Sequence, residues 1–163
     1  MNTNTQHNIF AHKIQSPIGN ILAIASQSGL VELKIDHQYE DAYIGKATPI
    51  LLSIERELAL YFLGKLQKFN TPIHLHGTPF QKTVWKSLLH IPYGKTISYL
   101  EEAAYIGNPK ATRAVANANG ANKLPTIIPC HRVVRHNGQL GGYALGVDKK
   151  TWLLNHEKYY QLR

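Results

Sequence analysis

Apolar residues in the first third of the chain come in short bursts separated by turn-forming clusters. Phe10–Ile14, Ile21–Ala25 and Leu30–Ile35 are of strand length, and Ser16-Pro17-Ile18-Gly19-Asn20 and Ser26–Gly29 lie between them. Short runs bounded by Gly, Pro, Asn and Ser predict strands joined by tight turns. Tyr39–Thr48 shows no clear pattern. From Pro49 the period changes. Leu51, Ile54, Leu58, Tyr61 and Phe62 recur every three or four residues, with Glu55, Arg56 and Glu57 between them. This predicts a helix over Pro49–Gly64, stopped by Gly64. The N-terminal half therefore reads as a small α/β unit.

A connecting stretch runs from Asn70-Thr71-Pro72 to Gly77-Thr78-Pro79 and contains His74 and His76. Two histidines at this spacing can ligate a metal, but no acidic or cysteine partner is near, so strand or loop is the preferred reading. Beyond it the pattern turns mainly helical. Pro79–His90 places Phe80, Val84 and Leu88 on one side, with Ile91 beyond, and Pro92-Tyr93-Gly94-Lys95 breaks it. Ser98 and Glu101 form a capping-box pair for a helix that ends near Gly107. Asn108-Pro109 restarts a helix over Pro109–Asn119, with Pro109 suited to its first turn. Two short helices joined by a glycine-containing turn make a helix-turn-helix candidate. The second is rich in alanine, and Arg113 is its only long central side chain. Such a helix suits a narrow minor groove, although on periodicity alone a tightly packed interior is the preferred reading.

With 163 residues, 44% hydrophobic and 17% charged, the chain has room for one or two folded domains. No apolar run approaches the about 20 residues of a membrane span. Met1–Asn8 is polar and lacks a secretory core, so a cytoplasmic protein with no membrane partner is expected. The charge has a location. Residues 1–76 carry six Lys/Arg and six Asp/Glu, whereas residues 77–163 carry twelve and four, so the whole net of +8 lies in the second part. A polyanion partner would use this excess; a solvated basic face is the alternative. The domains are accordingly placed at 1–76 and 77–163.

Cys130 is the single cysteine, which excludes an internal disulfide framework and a Cys-rich zinc site. It lies in Thr126-Ile127-Ile128-Pro129-Cys130-His131-Arg132-Val133-Val134, at an expected bend between two β-rich apolar segments. A free cysteine is commonly a small buried hydrophobe. Against that, the adjoining His131 and Arg132 favour a thiolate. A cysteine nucleophile needs a base and the base an orienter. Direct contact of His131 with its sequence neighbour is awkward in a regular strand, so a bend or a bridging water is expected. Asn122 and Glu157 are available to complete the chain.

Pro129-Cys130-His131-Arg132-Val133 resembles the active-site motif of the O6-alkylguanine-DNA alkyltransferases, the methylated-DNA–protein-cysteine methyltransferases. Gly77-Thr78-Pro79-Phe80-Gln81, Val84-Trp85, Ile91-Pro92-Tyr93-Gly94, Ser98-Tyr99, Gly107-Asn108-Pro109, Ala114-Val115, Gly142-Tyr143 and Trp152-Leu153-Leu154 fall in that family's order. The resemblance covers 77–157; the N-terminal half is similar only loosely, through Ser16-Pro17-Ile18-Gly19 and Phe62-Leu63-Gly64. It implies a ribonuclease-H-like α/β N-terminal domain and a mainly α, winged-helix-like C-terminal domain with a helix-turn-helix. It further implies binding of double-stranded DNA through the minor groove, flipping of an O6-alkylguanine, and one irreversible alkyl transfer per molecule, with O4-alkylthymine as a second substrate.

By position, Cys130, His131 and Glu157 match the family's nucleophile, water-mediated base and orienter, and Asn122 the residue bracing the active-site turn. Arg113 matches the arginine finger, and Tyr99 the tyrosine that promotes rotation and donates to the base. The Val133 carbonyl would read the guanine amino group, Tyr143 would line the alkyl pocket, and Ser98 and Arg132 would contact substrate or DNA. The resemblance implies a monomer without cofactor, since DNA supplies the alkyl group, and no N-terminal zinc, since no cysteine is present there. Ala144 departs from the small hydroxyl or glycine that often follows the Gly-Tyr pair. A non-catalytic alkyl-lesion binder on the same scaffold and a Cys/His thiol hydrolase are the rival readings.

Overall fold

A computed structural model describes residues 8–36 and 45–161. The chain divides between Leu75 and His76 into two compact units. The unpatterned stretch Tyr39–Thr48 falls mostly outside the described residues.

In the first unit, β1 (Phe10–Ser16), β2 (Gly19–Ala25) and β3 (Leu30–Ile35) form an antiparallel meander in sequence order. Ser16 pairs with Gly19, so Pro17-Ile18 is a two-residue hairpin loop, and Ser16 Oγ donates to the Gly19 carbonyl at 2.6 Å. Helix α1 (Pro49–Phe62) packs on β1 and β2. Its buried side chains Leu51, Ile54, Leu58 and Tyr61 are four of the five on the expected apolar stripe. Gly64 at φ +71 ends it, its N–H returning to the Tyr61 carbonyl at 2.9 Å. His74 Nδ1 pairs with Ser28 Oγ at 3.2 Å.

In the second unit, α2 (Pro79–Leu88) and α3 (Tyr99–Tyr105) both begin on full capping boxes, Thr78 with Gln81 and Ser98 with Glu101. Helix α4 (Thr112–Gly120) packs against both. Trp85 Nε1 on α2 donates to the Ala118 carbonyl of α4 at 2.8 Å. Helix α4 starts later than the sequence suggests. Ala111 N–H closes on the Asn108 carbonyl at 2.9 Å, so Asn108–Ala111 is a β-turn with Pro109 at its second position. Proline fits that position as readily as a first helical turn. Arg113 is thereby near the start of α4, not at its centre. Strand β4 (Ile97–Ser98) pairs in parallel with β5 (Val133–Val134), and α5 (Val147–Gln161) closes the unit. The two β-rich segments expected around Cys130 shrink to β5, because Pro125 and Pro129 interrupt the run preceding it.

Candidate active site

The bend at Cys130 has a definite construction. Pro129, at φ −81 and ψ 61, is the centre of an inverse γ-turn in which Cys130 N–H donates to the Ile128 carbonyl at 2.8 Å. A single 3-10 turn, Cys130–Arg132, follows directly. Asn122 braces this bend. Its Nδ2 donates to the Ile128 carbonyl at 2.8 Å and to Cys130 Sγ at 3.2 Å, while its Oδ1 accepts from Leu124 N–H at 2.9 Å. The β4–β5 ladder aligns Ile97 with Val133 and Ser98 with Val134, which brings the first residue of α3, Tyr99, beside the cysteine. Cys130 lines a cavity of about 250 Å³ whose walls include Tyr99, Asn117 and Asn119 of α4, Tyr143 and Ala144.

The polar groups behind Cys130 form one connected cluster. Glu157, on α5, accepts from one edge of the Arg132 guanidinium in a bidentate pair, Nε at 2.8 Å and Nη2 at 2.9 Å, and pairs with His131 Nε2 at 2.8 Å. Arg132 Nη1 donates to the Ile91 carbonyl at 2.7 Å. Burial alone would raise the Glu157 carboxyl, but His131 and Arg132 outweigh it and hold the group well below the usual carboxylate range. Burial lowers His131, against the pull of Glu157, so the imidazole is neutral at rest. Its Nδ1 is buried without a hydrogen-bond partner, as are Tyr143 Oη and Asn119 Oδ1.

The thiol runs against expectation. Burial pushes Cys130 up to about 11, although the Asn122 N–H and the Lys150 ammonium both pull it down. The adjoining basic residues do not hold a thiolate, because Arg132 is neutralised by Glu157 and His131 is uncharged. Cys130, only 6% exposed, therefore rests as a thiol.

The cavity gathers Cys130, Tyr99 and Tyr143, with Asn122 bonded to the sulfur and His131 and Glu157 in the cluster behind it. Arg113 is exposed on α4, one turn before the cavity-lining Ala116 and Asn117. The Val133 carbonyl accepts from Lys150 Nζ at 2.7 Å and keeps one lone pair. Two expectations require correction. Arg132 is 6% exposed and each of its three guanidinium nitrogens donates to a partner inside the protein, so it makes no DNA contact in this arrangement. Ser98 is buried, and its hydroxyl accepts from Glu101 N–H at 3.1 Å as the cap of α3.

Sequence reasoning missed two buried charged residues. Lys150 is fully buried and donates to the carbonyls of Val133, Leu140 and Gly142 at 2.7, 2.6 and 3.3 Å, tying the 140–142 loop to β5. Burial lowers it to about 8. Its signal was positional: Lys150, Leu153 and Glu157 follow the i, i+3, i+7 spacing of a buried helix face. Glu102, 1% exposed, accepts from Asn119 Nδ2 at 2.7 Å and is raised by burial to about 7.

With this geometry in place, the comparisons with known proteins are decisive. Residues 79–159 match the model of the 6-O-methylguanine DNA methyltransferase DNA-binding domain, and residues 9–75 that of the ribonuclease-like domain. A methylated-DNA–protein-cysteine methyltransferase of Methanosarcina acetivorans is 43% identical over 148 residues, 88% of this chain and 94% of the relative. The chain belongs to the methylated-DNA–protein-cysteine methyltransferase family. Its fold agrees with that membership. The crystal structure of Mycobacterium tuberculosis O6-methylguanine methyltransferase superposes with a TM-score of 0.84 at 40% identity, covering 94% of both chains. A structure described as Mycobacterium tuberculosis OGT in complex with DNA gives a TM-score of 0.84 at 39% identity, covering 93% of this chain and 94% of that one. The architecture is thus the family's ribonuclease-like sheet unit followed by a helical DNA-binding unit. Among the described residues, no helix is long and apolar enough to cross a membrane, and no group of three or more His, Cys, Asp or Glu converges as a metal site.

Proposed function

We propose that this protein repairs DNA directly, removing an alkyl group from O6-alkylguanine in duplex DNA and keeping it on Cys130. The observation that carries the reading is the placement of Cys130 in the wall of a cavity bordered by α4, with a hydrogen-bonded His131–Glu157 pair behind it. A base inside a duplex cannot reach a recessed sulfur, so the lesion must leave the stack. Helix α4 lies in the minor groove, where its alanines permit close approach, and Arg113 occupies the space the base vacates. The basic excess of residues 77–163 holds the phosphates.

The chemistry begins from a thiol and a neutral imidazole. His131 Nδ1 takes the Cys130 proton through a water, and Glu157 stabilises the imidazolium. Sγ then attacks the alkyl carbon; the new S–C bond forms as the C–O6 bond breaks, and its electron pair passes to the purine. Tyr99 donates a proton to the departing base and recovers it from the imidazolium side or from solvent. The product is a thioether and an intact guanine. With no second cysteine, nothing displaces that thioether, so each molecule acts once. The free lone pair of the Val133 carbonyl reads the guanine amino group, and Tyr143 closes the alkyl end. O4-alkylthymine is a second substrate, and the protein acts as a cytoplasmic monomer without cofactor. Residues restored per protein molecule, counted with excess lesion-bearing duplex, test the reading. A plateau at one is expected; continued turnover overturns it and points to a hydrolase. Binding without any restoration points to a lesion binder.

A further inference from the structure

A buried acid sits one hydrogen bond away from the reaction cavity, and the mechanism above leaves it unused. Glu102 on α3 faces Ser87 of α2 and Asn119 of α4, and Asn119 is part of the cavity wall. The hydrogen count in this triad is informative. Asn119 Nδ2 donates to Oε2 at 2.7 Å. Oε1 lies 3.4 Å from Ser87 Oγ, but the Ser87 hydroxyl has one hydrogen and a much shorter bond for it, to the Val84 carbonyl at 2.6 Å. At 3.4 Å the Ser87 hydroxyl gives Oε1 no donor, so this carboxyl, 1% exposed, has the Asn119 amide as its one close hydrogen-bond partner and no cation paired with it, an environment that favours the neutral acid.

We propose that Glu102 is a positioning residue that works as a neutral carboxylic acid: its Oε1–H donates to Ser87 Oγ, its Oε2 holds Asn119 in the cavity wall, and alkyl transfer is fast only while that proton is present. The inference rests on the alkyl-transfer reading for its consequence, though not for the protonation itself. Burial raises this carboxyl to about 7, against the pull of the Asn119 N–H, so the proton is held near neutrality and lost above it. Of the titratable groups around it, Tyr99 on the same helix and Cys130 in the 3-10 turn both feel its charge, and ionised Glu102 makes each harder to deprotonate. The packed helices α2 and α4 present Ser87 and Asn119, neither of which ionises. Loss of the Glu102 proton therefore sets a negative charge against formation of the Cys130 thiolate and breaks the link to Ser87.

Glu102→Gln copies the protonated form, with an N–H toward Ser87 and a carbonyl toward Asn119. Single-turnover repair of an O6-methylguanine duplex and alkylation of Cys130 by iodoacetamide without DNA are measured for both proteins. The E102Q-to-wild-type ratio is expected to rise about three- to tenfold between about pH 6 and about pH 8.5 in both assays. A ratio constant with pH overturns the proposal. If the duplex is never repaired while the iodoacetamide ratio rises, the alkyl-transfer reading fails and the protonated acid stands. Glu102→Leu, which fills the space without either hydrogen bond, is expected to repair several-fold more slowly than E102Q throughout; equal rates overturn the positioning role. Thermal stability provides a separate check. A carboxyl raised in the folded state stabilises the fold at low pH and loses that contribution as pH climbs through the folded value. E102Q should gain in Tm relative to wild type between about pH 5 and about pH 8, and an unchanging gap overturns the assignment.

Discussion

At Glu157 three tasks converge on one carboxylate: it neutralises Arg132, orients His131, and accepts from Gly94 N–H at 3.2 Å. Removing one partner of a buried charge pair costs about 3–5 kcal/mol, because the other is left unpaired. Glu157→Gln should therefore lower Tm sharply as well as stop repair. The pH dependence has a fixed sign. A carboxyl held low in the folded state contributes stability above its ordinary value of 4.5 and loses it as pH falls toward the folded one. The Tm gap between wild type and E157Q should be widest near neutrality and narrow in acid; a constant gap in thermal melts would contradict the pairing. Asn122→Ala removes the N–H on Sγ, one of the two donors to the Ile128 carbonyl and the acceptor of the Leu124 N–H, at a cost of about 1–3 kcal/mol. Cys130 should then react with iodoacetamide more slowly at a given pH, since one of the groups favouring its thiolate is gone.

Elements place these residues by short, specific devices. The two-residue β4–β5 ladder sets Tyr99 beside Cys130, and Lys150 ties the 140–142 loop to β5. Gly141 in that loop has φ +71, and a Cβ there would stand 2.9 Å from the Tyr99 hydroxyl. Gly141→Ala should cost about 1–2 kcal/mol from backbone conformation alone and displace Tyr99, so repair should slow more than Tm predicts. Repair of duplex at full binding separates the two effects. Arg113→Ala should slow repair of duplex more than repair of a single-stranded lesion; equal losses would contradict its role in extrahelical capture. The elements themselves were legible where pattern and punctuation agreed: the apolar stripe of α1, the capping box of α3, the hairpin at Pro17-Ile18. Pro109 was ambiguous because turn and helix start use the same proline geometry. Around the site, motif order singled out Cys130, His131, Asn122 and Glu157 as candidates. What no local pattern reveals is how charges cancel in space. Arg132 reads as a free cation beside a cysteine until α5 returns a carboxylate to it, and nothing in the local pattern marks Glu102 for burial beside Asn119.

For the molecule as a whole, the charge division governs the encounter with DNA. Residues 77–163 hold the entire net charge of +8, and counterion release makes such binding steeply salt-dependent. Affinity for undamaged duplex should fall by about tenfold or more between about 50 and 200 mM salt, and a flat response in titrations would remove the electrostatic footprint. Cys130→Ala should keep that binding. The resting thiol follows from the same burial that shields the site, and it suits a protein that spends its nucleophile once. The central claim is that the sulfur of Cys130 is the final acceptor of the alkyl group. Intact-protein mass spectrometry with peptide mapping, after incubation with a duplex bearing one O6-methylguanine, tests it directly. The account predicts a single added methyl group on the Cys130 peptide and none in Cys130→Ala. Restored guanine with an unmodified Cys130 would contradict it.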